Sequence, residues 1–306
     1  MTPLDRREVL VGGLVATVAL PSRVALGGDV AVAAPAQLVE VSGTDRKVMV
    51  KAALTALGGI GAFVRRGQRV VLKPNLAFAN PIAWATATHP DTLVAVAEAC
   101  LEAGAKEVLV VEYPLNDPAK CLERTGAQAA LKALGVAVHM LADHDEFREV
   151  PIPQGIALKS VEVAKVFLDA DVFINLPQAK HHGSAGVSFG LKNAMGTIWS
   201  RKPFHLWLDL HQAIADLAHV VKPHLTILDA THALMSGGPK GPGDVGHPGR
   251  MVAGRTTASV DAWALSVVPM GGKVLTPADV KHIAHAGRAG LGEVDLEKLS
   301  PVRVAT

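Results

Sequence analysis

Short, continuous runs of apolar residues alternate along this chain with longer amphipathic stretches. Residues 69–72, 107–111, 136–138, 171–175 and 225–228 are of the first kind and predict buried strands. Residues 47–65, 90–103, 119–134, 208–220, 258–268 and 277–286 are of the second kind and predict helices, with Gly104 and Gly135 as stop signals after two of them. Strands that lack a polar alternation must be covered on both sides. The pattern therefore predicts an α/β fold: a mostly parallel sheet with helices on both faces, in a Rossmann-like three-layer architecture.

Polar side chains recur at one place in that scheme. Lys73-Pro74-Asn75 follows the apolar run ending at Leu72, and Glu112-Tyr113 follows the run ending at Val111. Asn175 and Lys180 come after Val172-Phe173-Ile174, and Asp229 and His232 after Leu225 to Leu228. All four places are carboxyl ends of predicted strands. In a parallel sheet those ends share one edge, and the crevice outside it is the default ligand site.

Residues 175–196, NLPQAKHHGSAGVSFGLKNAMG, concentrate this chemistry. Adjacent residues of an extended chain point to opposite faces, so only one of His181 and His182 shares a face with Lys180. Lys180 there could hold a carboxylate or phosphate as a point charge, or form a Schiff base if its pKa is lowered. His182 could serve as a general base or a metal ligand. Lys192 and Asn193 fall in what reads as the first turns of a helix entered through glycine, where free N–H groups could meet an anion. Residues 186–190, GVSFG, match the nucleophile-elbow pattern, but loop residues separate Ser188 from the preceding predicted strand, which argues against a serine hydrolase.

His205, Asp209 and His211 have H-x3-D-x-H spacing, in which only the first two share a helical face. Pro203 and Trp207 suggest a packed turn, leaving His205 as a single contributed ligand. Asp229 beside a histidine suits a general-base pair or a hard divalent metal. Asp261 reads as a first-turn residue of a helix capped by Ser259. Residues 237–249, GGPKGPGDVGHPG, form a long Gly/Pro loop of the kind used as a lid, binding loop or subunit contact. Neither a Walker loop nor a dinucleotide fingerprint is present.

The N-terminus changes the picture of compartment. Arg6-Arg7 leads into an apolar stretch over residues 11–20, and small-x-small sites follow at 31–33 and 34–36. This predicts a twin-arginine export signal over residues 1–36, too short and glycine-rich to span a bilayer, followed by a single α/β domain over 37–306. The expected location is periplasmic or otherwise extracytoplasmic, with the twin-arginine machinery as a transient partner. That route carries folded proteins, which motivates a cofactor. Net charge is +2 and there is one Tyr, so nucleic acid is a poor partner. The two cysteines, Cys100 and Cys121, lie outside any metal-like spacing and read as core thiols or a disulfide, not as cluster ligands.

In order, VLKPNL at 71–76, Thr88-His89-Pro90, INLPQAKHH at 174–182, GLKNAMG at 190–196, His205, Leu228-Asp229-Ala230, Gly238-Pro239 and Ser259-Val260-Asp261-Ala262 resemble the family called domain of unknown function 362. The resemblance runs through nearly all of the chain after the signal. It implies that Lys73, Asn75, Lys180, His182, Lys192, Asn193, His205, Asp229 and Asp261 match the family's polar pattern. Many members resemble iron–sulfur proteins because ferredoxin-type motifs are joined to this domain. This chain has none, and no iron–sulfur cluster is expected.

The function expected is an exported protein, of undetermined reaction, that binds a small anionic ligand and could hold a divalent metal. Lys180, His182 and Asp229 are the candidate catalytic residues, and Lys73, Asn75, Lys192, Asn193 and His205 the candidate ligand-binding ones. The rival expectation is a non-catalytic accessory module working with a redox or iron–sulfur protein partner.

Overall fold

Thirteen strands and ten α-helices, joined by short 3-10 turns, fill the described part of the chain. The computed structural model describes residues 36–306, so the Arg6-Arg7 motif lies outside the described residues. The strands are β1 (Leu38–Ser42), β2 (Arg69–Lys73), β3 (Glu107–Glu112), β4 (Ala137–Met140), β5 (Phe147–Pro151), β6 (Ser160–Ala164), β7 (Val172–Asn175), β8 (Gln178–His182), β9 (Gly186–Ser188), β10 (Leu225–Leu234), β11 (Val245–Gly246), β12 (Arg250–Gly254) and β13 (Val302–Ala305). The helices are α1 (Arg46–Ala56), α2 (Pro90–Glu102), α3 (Pro118–Thr125), α4 (Ala127–Leu131), α5 (Lys165–Leu168), α6 (Gly190–Asn193), α7 (Lys202–Leu206), α8 (Leu210–Leu217), α9 (Thr257–Val267) and α10 (Lys281–Arg288).

Hydrogen bonding orders the main sheet β13-β1-β12-β10-β7-β2-β3-β4. From β10 to β4 every neighbour is parallel. Strand β12 runs against both β10 and β1, while β13 lies parallel to β1. The mostly parallel α/β sheet expected from the apolar runs is what forms.

Alternation along each strand sorts the apolar residues onto two cores. Val70, Leu72, Val172 and Ile174 join α1, α2 and α4 on one face, through Met49, Leu54, Leu93, Val96 and Leu131. Val71, Phe173 and Leu228 join α8, α9 and α10 on the other, through Ile214, Leu217, Leu265 and Ile283. Helix starts are set by local polar groups. Asp45 accepts from the Lys47 and Val48 amides, and His89 accepts from Asp91 just before the Pro90 that opens α2.

Two expectations are corrected. The helix predicted over 119–134 breaks into α3, α4 and a 3-10 turn, because Gly126 takes φ +70° between them. Strands β1, β12 and β13 were not predicted. They are five, five and four residues long, and β13 lies at the sheet edge with mostly exposed residues, so no buried run betrays it.

Candidate functional site

Beyond the carboxyl ends of β2, β3 and β7 lies a cavity of about 520 Å³. Lys73, Asn75, Lys180, His182, Lys192, Asn193 and His205 all line it, together with Glu112, Ser188, Arg201, Lys202 and Lys240. Of the candidate site residues, Asp229 alone does not reach it.

The floor is a chain of buried side-chain hydrogen bonds. Lys73 closes β2 and its ammonium donates to both Glu112 oxygens, at 3.1 and 3.2 Å, and to the Pro74 carbonyl at 2.6 Å. Glu112 also accepts the Leu76 and Tyr113 amides. The charge of Lys73 is thus met by the protein itself, through Glu112. Asn75 donates to Asn193 at 2.8 Å, and Asn193 donates to Asn175 at 2.8 Å, so the first turn of α6 is locked to the ends of β2 and β7.

Lys180 sits in the same network at 1% exposure, donating to Asn75 Oδ1 at 2.9 Å and to the Thr86 carbonyl at 2.6 Å, with its ammonium 5.0 Å from the Phe78 ring centroid. An ammonium has three donors, so one remains for the cavity. Burial first, with Lys192 and Lys73 adding to it against the pull of Glu112, lowers its pKa to about 7.

Strand alternation places His182 beside Lys180 as expected and turns His181 the other way, where its Nδ1 accepts the Gly238 amide. The Ala185 amide donates to His182 Nδ1 at 3.2 Å. That bond fixes the proton on Nε2, and burial together with Lys192 pulls the pKa down to about 3. In that form His182 presents a neutral Nε2–H donor to the cavity. His205 on α7 stacks over it at 6.2 Å between ring centroids. Among the described residues, no group of three or more His, Cys, Asp or Glu is arranged to hold a metal ion.

Lys192 is a partly buried cation left unmet among the described residues. No carboxylate or hydrogen-bond acceptor among the described residues engages its ammonium, and burial followed by repulsion from Arg201 lowers its pKa to about 8. The anion expected at the start of its helix is already in place and belongs to the protein. Asp261, fully buried on α9, accepts the Gly190 and Leu191 amides at 2.7 and 2.8 Å. Burial pushes its carboxyl up to about 7 against those two bonds. Asp261 is neither in the first turn nor capped by Ser259; α9 begins one residue after Thr256.

Asp229 is corrected most fully. Alternation along β10 puts Leu225 and Ile227 toward α1 and α2, and Asp229 follows them to that layer. There it pairs with Arg46 Nε at 3.0 Å and accepts from Thr92 Oγ1 at 2.6 Å and from the Thr231 amide at 2.9 Å. It is a buried anchor between strand and helices, turned away from the cavity.

The remaining motifs resolve as follows. Ser188 does end a strand, since the presumed loop residues form the β8–β9 hairpin, yet among the described residues no histidine hydrogen-bonds its hydroxyl. Asp209 caps α8 through the His211 and Gln212 amides, and Trp207 is 76% exposed instead of packed. The Gly/Pro loop supplies Pro239 and Lys240 to the cavity wall and is tied down by Asn80, which donates to the Lys240 carbonyl at 2.7 Å. Cys100 and Cys121 are free and buried, and burial pushes their thiols up to about 12 and about 11. Arg201 and Lys202 carried no sequence signal, because they belong to no strand end. Arg201 reaches back to the Tyr113 and Pro114 carbonyls and lies 4.4 Å over the Tyr113 ring.

A family model described as Domain of unknown function (DUF362) matches residues 70–266, a span that holds every cavity residue named above. The chain belongs to the DUF362 family. Another protein similar to this DUF362 chain is the thylakoid-associated protein sll1697 of Synechocystis sp., 28% identical over 264 residues that cover 81% of this chain and 76% of that one. Among solved structures, the lactate racemase apoprotein of Thermoanaerobacterium thermosaccharolyticum is similar at a TM-score of 0.46 and 13% identity, over 68% of this chain. The DUF362 chain spans about half of that protein, 54% of its length.

Proposed function

We propose that this DUF362 protein is exported and binds a small anion, a carboxylate or phosphate, in the cavity at the strand ends. The observation that carries the reading is charge. Lys73, Lys180, Lys192, Arg201, Lys202 and Lys240 line one cavity with a single carboxylate, Glu112, which Lys73 already engages. Burial first, and the neighbouring cations after it, lower the lysine pKa values, and a bound anion would favour their charged forms again. Lys192 supplies the main point charge, the free donor of Lys180 and the Nε2–H of His182 orient the ligand, and Lys180 is the group able to exchange a proton with it near neutral pH.

Isothermal titration with inorganic phosphate and with succinate tests this, comparing the wild type with Lys192→Gln. A charge-assisted bond of about 1.5–3 kcal/mol predicts a loss of affinity of about 10- to 100-fold in the variant. Failure of both anions to bind the wild type overturns the proposal.

A further inference from the structure

The cavity is not uniformly polar. Ala77, Phe78 and Met195 are buried in its wall, and that apolar surface continues outward through Leu115 and Leu206, both cavity-lining. Leu115 is 55% and Leu206 65% exposed, and Trp207 follows directly. Large apolar side chains at such exposure are ordinary when scattered, but these two line the same cationic pocket as Phe78 and Met195. The wall is also rigid. The Leu115 and Asn116 amides both donate to the Ala77 carbonyl, at 2.9 and 3.2 Å, and Asn116 Oδ1 accepts the Ala79 amide at 3.0 Å. The loops after β2 and β3 are thereby stapled into a fixed apolar strip running from floor to surface.

A bare phosphate or short dicarboxylate would use only the lysine and amide side of this space. We infer that the ligand is an amphiphilic anion, with a phosphate or carboxylate head at Lys180, Lys192 and His182 and an apolar substituent laid along Phe78, Met195, Leu115 and Leu206. This rests on the anion reading above and narrows its ligand class. Phe78 serves both halves, since it lies against the Lys180 ammonium and also forms part of the strip.

The test is a titration series of inorganic, ethyl, butyl and hexyl phosphate below micelle-forming concentration, on the wild type, Leu206→Ser and Leu115→Ser. Both variants change exposed side chains, so folding is retained. In the wild type each added methylene should tighten binding about two- to fourfold, as expected for apolar surface leaving water. In the variants that gain should shrink while the affinity for inorganic phosphate stays unchanged. Hexyl phosphate binding no tighter than inorganic phosphate would overturn the amphiphile and leave the anion site standing. No binding of any phosphate, with succinate failing as well, would overturn both readings together. Equal chain-length gains in wild type and both variants would place the substituent elsewhere and refute the strip.

Discussion

Arg46→Ala separates an anchoring Asp229 from a catalytic one. Asp229 is 0% exposed and Arg46 8%, with Nε and Oδ2 3.0 Å apart, so the substitution leaves a carboxylate buried beside Thr92 without its counter-charge. Removing one partner of a buried pair costs about 3–5 kcal/mol, well above the value of a surface ion pair. For a domain of this size that corresponds to a fall in Tm of about 6–15 °C. Thr92→Val removes only the 2.6 Å hydroxyl bond to the same carboxylate and should cost about 1.5–3 kcal/mol. The assay is thermal unfolding followed by circular dichroism, paired with phosphate titration of the folded protein at low temperature. The expected result is a large loss of stability with anion affinity nearly unchanged, because α1 and α2 do not line the cavity. A fall in Tm of less than about 2 °C, with anion binding abolished, would refute the assignment and return Asp229 to the ligand site.

Lys180→Ala should lose both functions at once: its removal empties a fully buried site and strands Asn75 Oδ1 and the Thr86 carbonyl, costing about 2–5 kcal/mol in urea unfolding along with anion affinity. Lys192→Gln, by contrast, removes a charge that burial disfavours and should hold or raise the unfolding midpoint, which makes it the cleaner probe of binding. Anion affinity should be highest below pH 7 and fall between pH 7 and 9 as Lys180 (about 7) and Lys192 (about 8) lose their protons, read by titration across that range. The sign for stability is the reverse. Both lysines have folded pKa values below the ordinary lysine value of 10.5, so the unliganded protein should gain stability as pH rises from about 7 toward 10. Gly196→Ala should destabilise and weaken binding, since a Cβ there would lie 2.6 Å from Glu112 Oε1 and from Lys73 Cε and Nζ and would displace the floor ion pair; unchanged melting would refute that packing.

The location of the site was legible because parallel strands align their carboxyl ends, and a polar residue after an apolar run marks such an end without any knowledge of the partner strand. Lys180 and His182 could even be put on one face, since a period of two depends on nothing beyond the strand itself. What the sequence hid was sidedness. Asp229 also follows a strand's apolar run, but β10 continues to Leu234, and its register sends that carboxylate to a layer containing Arg46, 183 positions earlier in the chain. Arg201 and Lys202 were hidden for the same reason: they come to the cavity by the packing of α7 and its approach, which no local pattern encodes. The role of Asp261 was hidden likewise, because its bonds to Gly190 and Leu191 span 71 and 70 residues.

The carboxylate of Asp261 occupies the amides that open α6, while Lys192 and Asn193 of the same short helix line the cavity. Of the two natural seats for an anion near α6, the backbone amides at its start and the lysines beside it, the first is permanently taken. In the proposed reading an incoming anion is therefore held by side chains alone, whose charge responds to pH, and not by a helix terminus whose dipole does not.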